Sequence, residues 1–290
     1  MFDFNIINTK TTLGESGFYL NKTNEIVFLD VLNPKILFYS LDSRELTKYK
    51  INLPKPLGNV YPLKGGNFII SCFEGLYHYN RKTNNLKKYL DVRKKNEFKK
   101  ISYNDGTISK NKIWIGLCHI KETQDLGYFG YLYKNKFYEV DRGFKVSNGP
   151  ALDKGFKNLY FSDSFNSRIY KYNLKTLNKD LVIRFAKKHG FPDGIALDNK
   201  QGLWVAHWAG SKVTRINLKN GKIDFEINIP ALNVTSVTFV GKKLDYLFIT
   251  SARYGATKTQ LKQYNYSGSS FIIKTKFQGL QIPYSDLKIH

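Results

Sequence analysis

The sequence predicts an all-β fold, a six-bladed β-propeller, and three observations carry that prediction. A short apolar strand core recurs six times along the 290 residues, at steps of 41 to 46, which is the period of a four-stranded blade. Between the cores lie alternating segments punctuated by Gly, Asn, Asp and Lys, as tight turns require. Aromatic residues are abundant, 20 Tyr and 21 Phe against one Met, and such rings suit a pleated, half-buried surface. No stretch has the period of a long amphipathic helix. The regular step disfavours a sandwich, and a β-helix would use a much shorter repeat.

In chain order the cores are Val27-Phe28-Leu29-Asp30, Phe68-Ile69-Ile70-Ser71, Ile113-Trp114-Ile115-Gly116, Leu159-Tyr160-Phe161-Ser162, Leu203-Trp204-Val205-Ala206 and Leu247-Phe248-Ile249-Thr250. Each is read as the second strand of its blade. A further alternating segment follows in most units, such as Lys35-Ile36-Leu37-Phe38-Tyr39 or Arg168-Ile169-Tyr170-Lys171-Tyr172. One domain, 1–290, is expected, because a closed ring cannot be cut into independent halves. The stretch after Tyr254, Phe271-Ile272-Ile273-Lys274 and onward, is expected to close the ring with the N-terminus.

The chain carries 46 Lys+Arg against 23 Asp+Glu, a formal charge of +23. Its lysines are scattered. The densest stretch, residues 91–100, mixes five basic residues with Asp91 and Glu97, so a solvated basic surface is expected and no nucleic-acid partner. No apolar run approaches the ~20 residues of a membrane span, and the start MFDFNIINTK lacks the pattern of a signal peptide. Two cysteines, Cys72 and Cys118, cannot build a disulfide framework, so a reduced, cytoplasmic setting is expected.

The residues shortly before each core belong on the innermost strand, which lines the channel of a propeller. Five units carry a polar cluster there, 9 to 12 residues before the core: Glu15, Asn104-Asp105-Gly106, Asn148-Gly149, Asp193-Gly194 and Thr235-Ser236. Similar phase means similar height, so these side chains are expected to converge at one mouth of the channel. Carboxylate and amide oxygens suit a hard divalent cation, which would also relieve the repulsion between two carboxylates in a channel. The competing reading takes Asn-Gly and Asp-Gly as turn dipeptides and Glu15 as a surface carboxylate. No Gly-x-Ser-x-Gly elbow, phosphate-binding Gly-rich loop or Cys/His zinc spacing competes.

These clusters, with Leu13-Gly14-Glu15-Ser16-Gly17, Ser147-Asn148-Gly149-Pro150, Phe191-Pro192-Asp193-Gly194-Ile195-Ala196-Leu197-Asp198 and Asn233-Val234-Thr235-Ser236-Val237, resemble the gluconolactonase/regucalcin family of six-bladed propellers. The resemblance implies metal-dependent hydrolysis of a lactone to the hydroxy acid. It implies a metal held by Glu15, Asn148 and Asp193, and a substrate contact at Asn104. Asp193, beside the attacking water, is the expected general base, with Asp105 supporting Asn104. The expected cofactor is one divalent ion (Ca, Mn, Mg, Zn or Fe, with calcium first), and the expected state is a monomer or weak dimer with a small-molecule substrate. Family members acting on sugar acids often carry an Arg two positions before the substrate Asn, where this chain has Ser102. Ser102 is therefore a substrate-facing candidate; His119, which follows the third core as His207 follows the fifth, is another, whereas His207 reads as structural. Two alternatives remain open: a non-catalytic metal-binding regulatory propeller, and a hydrolase of a non-sugar lactone or phosphotriester.

Overall fold

A computed structural model describes residues 3–109 and 111–287; residues 1, 2, 110 and 288–290 of the expected 1–290 span lie outside the described residues. Among the described residues twenty-four strands form six four-stranded antiparallel sheets, the blades of a propeller. Blades one to five are meanders that run from the axis outward and span residues 14–50, 57–90, 101–144, 147–184 and 191–228. Their inner strands are Gly14–Leu20, Leu57–Pro62, Ile101–Ser109, Ser147–Leu152 and Phe191–Leu197. The six apolar cores all fall on second strands, from Glu25–Asp30 in blade one to Tyr246–Ala252 in blade six.

Burial follows position in the blade. In blade two every residue of Leu57–Pro62 and of the second strand Phe68–Cys72 is buried. Outermost strands such as Lys179–Arg184 are largely exposed. A strand covered on both faces needs a continuous apolar run rather than alternation, which is why the cores stand out in the sequence. Aromatic rings lock successive blades together. Phe28 meets Phe248 at 5.0 Å, Phe38 meets Phe68 at 5.6 Å, Phe129 stacks on Phe161 at 4.5 Å, and Trp204 meets Phe239 at 5.9 Å. Each such pair adds about 0.5–1.5 kcal/mol beyond its buried area. Cys72 and Cys118 are buried and free. Among the described residues no helix is long and apolar enough to cross a membrane.

Phe271-Ile272-Ile273-Lys274 closes the ring with the N-terminal strand as expected, and the residues after it do not take part. Blade six consists of Asn233–Val240, Tyr246–Ala252 and Ser270–Lys274, with the N-terminal strand Phe4–Ile7 outermost, paired from Phe4↔Ile273 to Ile7↔Ser270. Phe271-Ile272-Ile273-Lys274 is thus the third strand, and the fourth comes from the other end of the chain. Residues 275–287 add no strand to a blade. They run from Leu244 to Leu197 and on to Pro62, through hydrogen bonds from Gly279, Leu280 and Ser285 N–H groups. This strap helps line a channel cavity of about 440 Å³ on the side opposite the first residues of the inner strands.

All six inner strands carry a β-bulge at the same place. Two residues oppose one at Ser16-Gly17, Gly58-Asn59, Asn104-Asp105, Gly149-Pro150, Asp193-Gly194 and Thr235-Ser236. A bulge re-aims side chains near an axis. Ser16 and Gly149, each the first bulge residue, take φ of +63° and +78°. At Gly194 an added Cβ would stand 2.8 Å from Ser236 Cα, so the backbones of blades five and six approach too closely there for a side chain.

Candidate active site and metal centre

The bulges put consecutive residues of different blades at one level. Glu15 and Asn148 occupy the last paired position before the bulge, Asn104 and Asp193 are first bulge residues, and Asp105 is a second bulge residue. Glu15, Asn104, Asn148 and Asp193, from blades one, three, four and five, line one cavity of about 180 Å³ at the channel mouth. Asn148 is fixed from both sides. Its Nδ2 donates to Ser164 Oγ at 3.0 Å, and its Oδ1 accepts from Asn104 Nδ2 at 2.7 Å. Asn104 Nδ2 also donates to the Ser147 carbonyl at 2.8 Å. Both amide hydrogens of Asn104 are therefore committed, and its Oδ1 is the group it can offer a ligand.

The carboxylates are electrostatically crowded. Burial, then the charges of Asp193 and Asp105, hold the Glu15 carboxyl well above the usual range, against a backbone hydrogen bond from Ser16. Burial, then Asp105 and Glu122, do the same to Asp193, against a hydrogen bond from Gly194. Asp105 lines the channel cavity below the bulge rather than the mouth. It accepts hydrogen bonds from Asn59 Nδ2 at 2.9 Å and the Gly106 N–H at 2.8 Å, and burial pushes it up to about 7.

Other candidates sit elsewhere. Ser102 is buried, its hydroxyl donates to the Tyr103 carbonyl at 3.3 Å, and it does not line the mouth cavity. His119 does not line it either; its Nδ1 lies 3.2 Å from Thr123 Oγ1. Its carbonyl accepts from the Glu122 N–H at 2.7 Å, so it anchors the base of the loop that carries Glu122. His207 is fully buried against Thr214 Oγ1 at 2.8 Å. Thr235 is buried too, bonded to the Gly14 carbonyl at 2.5 Å, and ties blade six to blade one.

Glu122 and Asn59, at or beside the candidate site, escape sequence reasoning. Glu122 lines the mouth from a loop that no other blade repeats, so phase gives no signal for it. Asn59 holds Asp105, and its signal was available: it lies nine residues before Phe68, the spacing of Asn104 to Ile113.

The donor set fits a hard divalent cation. The buried Asp193, the half-buried Glu15 and an oriented amide oxygen share a cavity that, among the described residues, no Lys or Arg lines, so a cation would supply the charge balance. Among the described residues no group of three or more His, Cys, Asp or Glu forms a metal cluster; the set here includes an amide instead.

A six-bladed propeller with an acid-and-amide ring at its mouth defines the class. Residues 13–253 match the SMP-30/gluconolactonase/LRE-like family, and the chain belongs to it. Among its relatives, regucalcin of Danio rerio is 26% identical over 97% of this chain and 96% of that protein. The 6-deoxy-6-sulfogluconolactonase of Pseudomonas putida is 25% identical over 96% of each. The crystal structure of a calcium-binding protein, regucalcin, from Agrobacterium tumefaciens superposes with a TM-score of 0.91 at 19% identity, covering 99% of this chain and 98% of that one, and shares the fold.

Proposed function

We propose that the protein hydrolyses a lactone to the hydroxy acid with one divalent cation held by Glu15, Asn148 and Asp193. The observation that carries this reading is the meeting of the buried Asp193 of blade five and the half-buried Glu15 of blade one in a cavity lined, among the described residues, by no basic residue. The cation, calcium first among the candidates, would polarise the lactone carbonyl as a Lewis acid and stabilise the developing oxyanion.

The chain's own groups do the rest. Asp193 takes the proton from the attacking water; the water oxygen bonds to the carbonyl carbon, the ring C–O bond breaks, and the alkoxide is protonated. Asn148 is held in one rotamer by Ser164 and Asn104, so its position costs nothing at the moment of reaction. Asn104 presents an acceptor to a substrate hydroxyl or an ordered water. Glu122, on an exposed loop, reaches the cavity wall and can hold a proton toward the leaving oxygen. Asp105, anchored by Asn59, sets the position of Asn104 beside it.

Asp193→Ala and Glu15→Ala are expected to lose stoichiometric metal, read by elemental analysis, and at least about 100-fold in kcat/KM. Wild-type metal content and turnover in both variants would overturn the proposal.

A further inference from the structure

The lining of the mouth cavity narrows the substrate class. Seven of its thirteen lining residues are apolar or aromatic, and the six polar ones are acidic, amide or hydroxyl. Phe165 and Phe191 reach it as a tilted pair with centroids 5.8 Å apart. Trp208 and Tyr254 form a second pair at 6.5 Å. Phe165, Phe191 and Tyr254 are 45%, 40% and 56% exposed. Large rings left open to water and gathered at one concave site mark a surface that awaits an apolar partner.

The polar inventory points the same way. In a chain of +23 formal charge, no lysine or arginine among the described residues lines this cavity. Lys145 stands over the Phe165 ring at 5.8 Å without joining the lining. An anionic substrate would meet Glu15, Asp193 and Glu122 with no fixed counter-charge from the chain. Once Glu15, Asn148 and Asp193 are set aside for the cation, only Asn104, Glu122 and Ser164 remain, and the Ser164 hydroxyl already serves Asn148. A polyhydroxylated ring would leave several hydroxyls unmatched on burial, which costs affinity.

We propose, resting on the lactonase reading above, that the substrate is an uncharged lactone bearing an alkyl or aryl substituent, and that the substituent lies against Phe165, Phe191, Trp208 and Tyr254. The lactone ring enters toward the acid-and-amide ring, and the substituent stays at the mouth. This arrangement selects by apolar area rather than by a hydroxyl pattern.

Two readouts test it. The first is kcat/KM over γ-valerolactone, γ-heptalactone and γ-nonalactone, with dihydrocoumarin and glucono-δ-lactone for comparison, in the presence of the activating metal. The second needs no catalysis: quenching of tryptophan fluorescence by 2-alkylcyclopentanones, which hold the ring shape but carry no ester. Trp114 and Trp204 are 2% and 0% exposed, so Trp208 reports, and Trp208→Phe serves as the control. Both kcat/KM and ketone affinity are expected to rise about two- to fourfold per added methylene over the first few carbons. Phe165→Ala combined with Phe191→Ala is expected to flatten both series. Hydrolysis of glucono-δ-lactone with a flat alkyl series overturns this inference and leaves the lactonase reading standing. Ketone affinity that climbs with chain length while no lactone turns over sinks the lactonase reading and upholds the apolar site. A flat ketone series with no turnover overturns both.

Discussion

At His207 the fold excludes a proton. The imidazole is fully buried, edge-on to Phe185 at 4.8 Å, with Nε2 bonded to Thr214. Burial, then His189 and Lys212, brings its pKa down to about 3. A histidine in the unfolded chain titrates near 6.5, so between about pH 6.5 and 3 the unfolded chain binds a proton that the folded one refuses. Stability then falls on acidification through that window, by up to about 1.4 kcal/mol per pH unit. His207→Gln keeps an amide for Thr214 and cannot titrate. Its urea midpoint should lose about 2 kcal/mol less than the wild type between pH 6.5 and 4.5; equal losses in the two proteins would refute this account.

At the scale of the strand, blade five is held by one buried charge network. Arg215 donates through Nε to Asp198 Oδ2 at 2.6 Å and through Nη1 to Asp224 at 2.6 Å, while Trp204 Nε1 reaches the same Asp198 oxygen at 2.9 Å. Asp198 has no exposed side-chain surface and Arg215 only 4%. Arg215→Met strands that carboxylate and should cost about 3–5 kcal/mol, seen as a lower urea midpoint; a loss below about 1 kcal/mol would show that the pair is dispensable. Strands were also what the sequence made legible. The second strands could be found because burial on both faces demands unbroken apolar runs such as Phe68-Ile69-Ile70. The inner strands could be found by phase, but only to within a few residues. The bulges break the two-residue alternation, so Glu15 and Asn148 stand at one position and Asn104 and Asp193 at the next. Glu122 and Tyr254 belong to loops that occur once, and Tyr254 opens the long connection of blade six that contains the short helix Lys258–Gln263. Period-based reading has no purchase on such segments. Residues 275–287 carry no periodic signal for a related reason: apolar residues such as Phe277 and Leu280 pack against the cores without pairing into a blade.

For the molecule as a whole, closure is the vulnerable step. Removing residues 1–8 strips the outermost strand from blade six, together with the buried Ile7 and the edge-to-face contact of Phe4 with Phe271 at 5.9 Å. It also bares the edge of Ser270–Lys274. The truncated protein should be about 2–3 kcal/mol less stable and should associate through the bared edge, visible by urea titration and by size-exclusion chromatography; an unchanged midpoint and a single monomeric peak would refute this. The same arrangement shapes birth on the ribosome. Phe4–Ile7 leaves the exit tunnel well before its partner, Ser270–Lys274, with five other blades encoded between them. At typical elongation rates the early strand waits on the order of tens of seconds, so five blades and most of the sixth must be synthesised before it has anywhere to go.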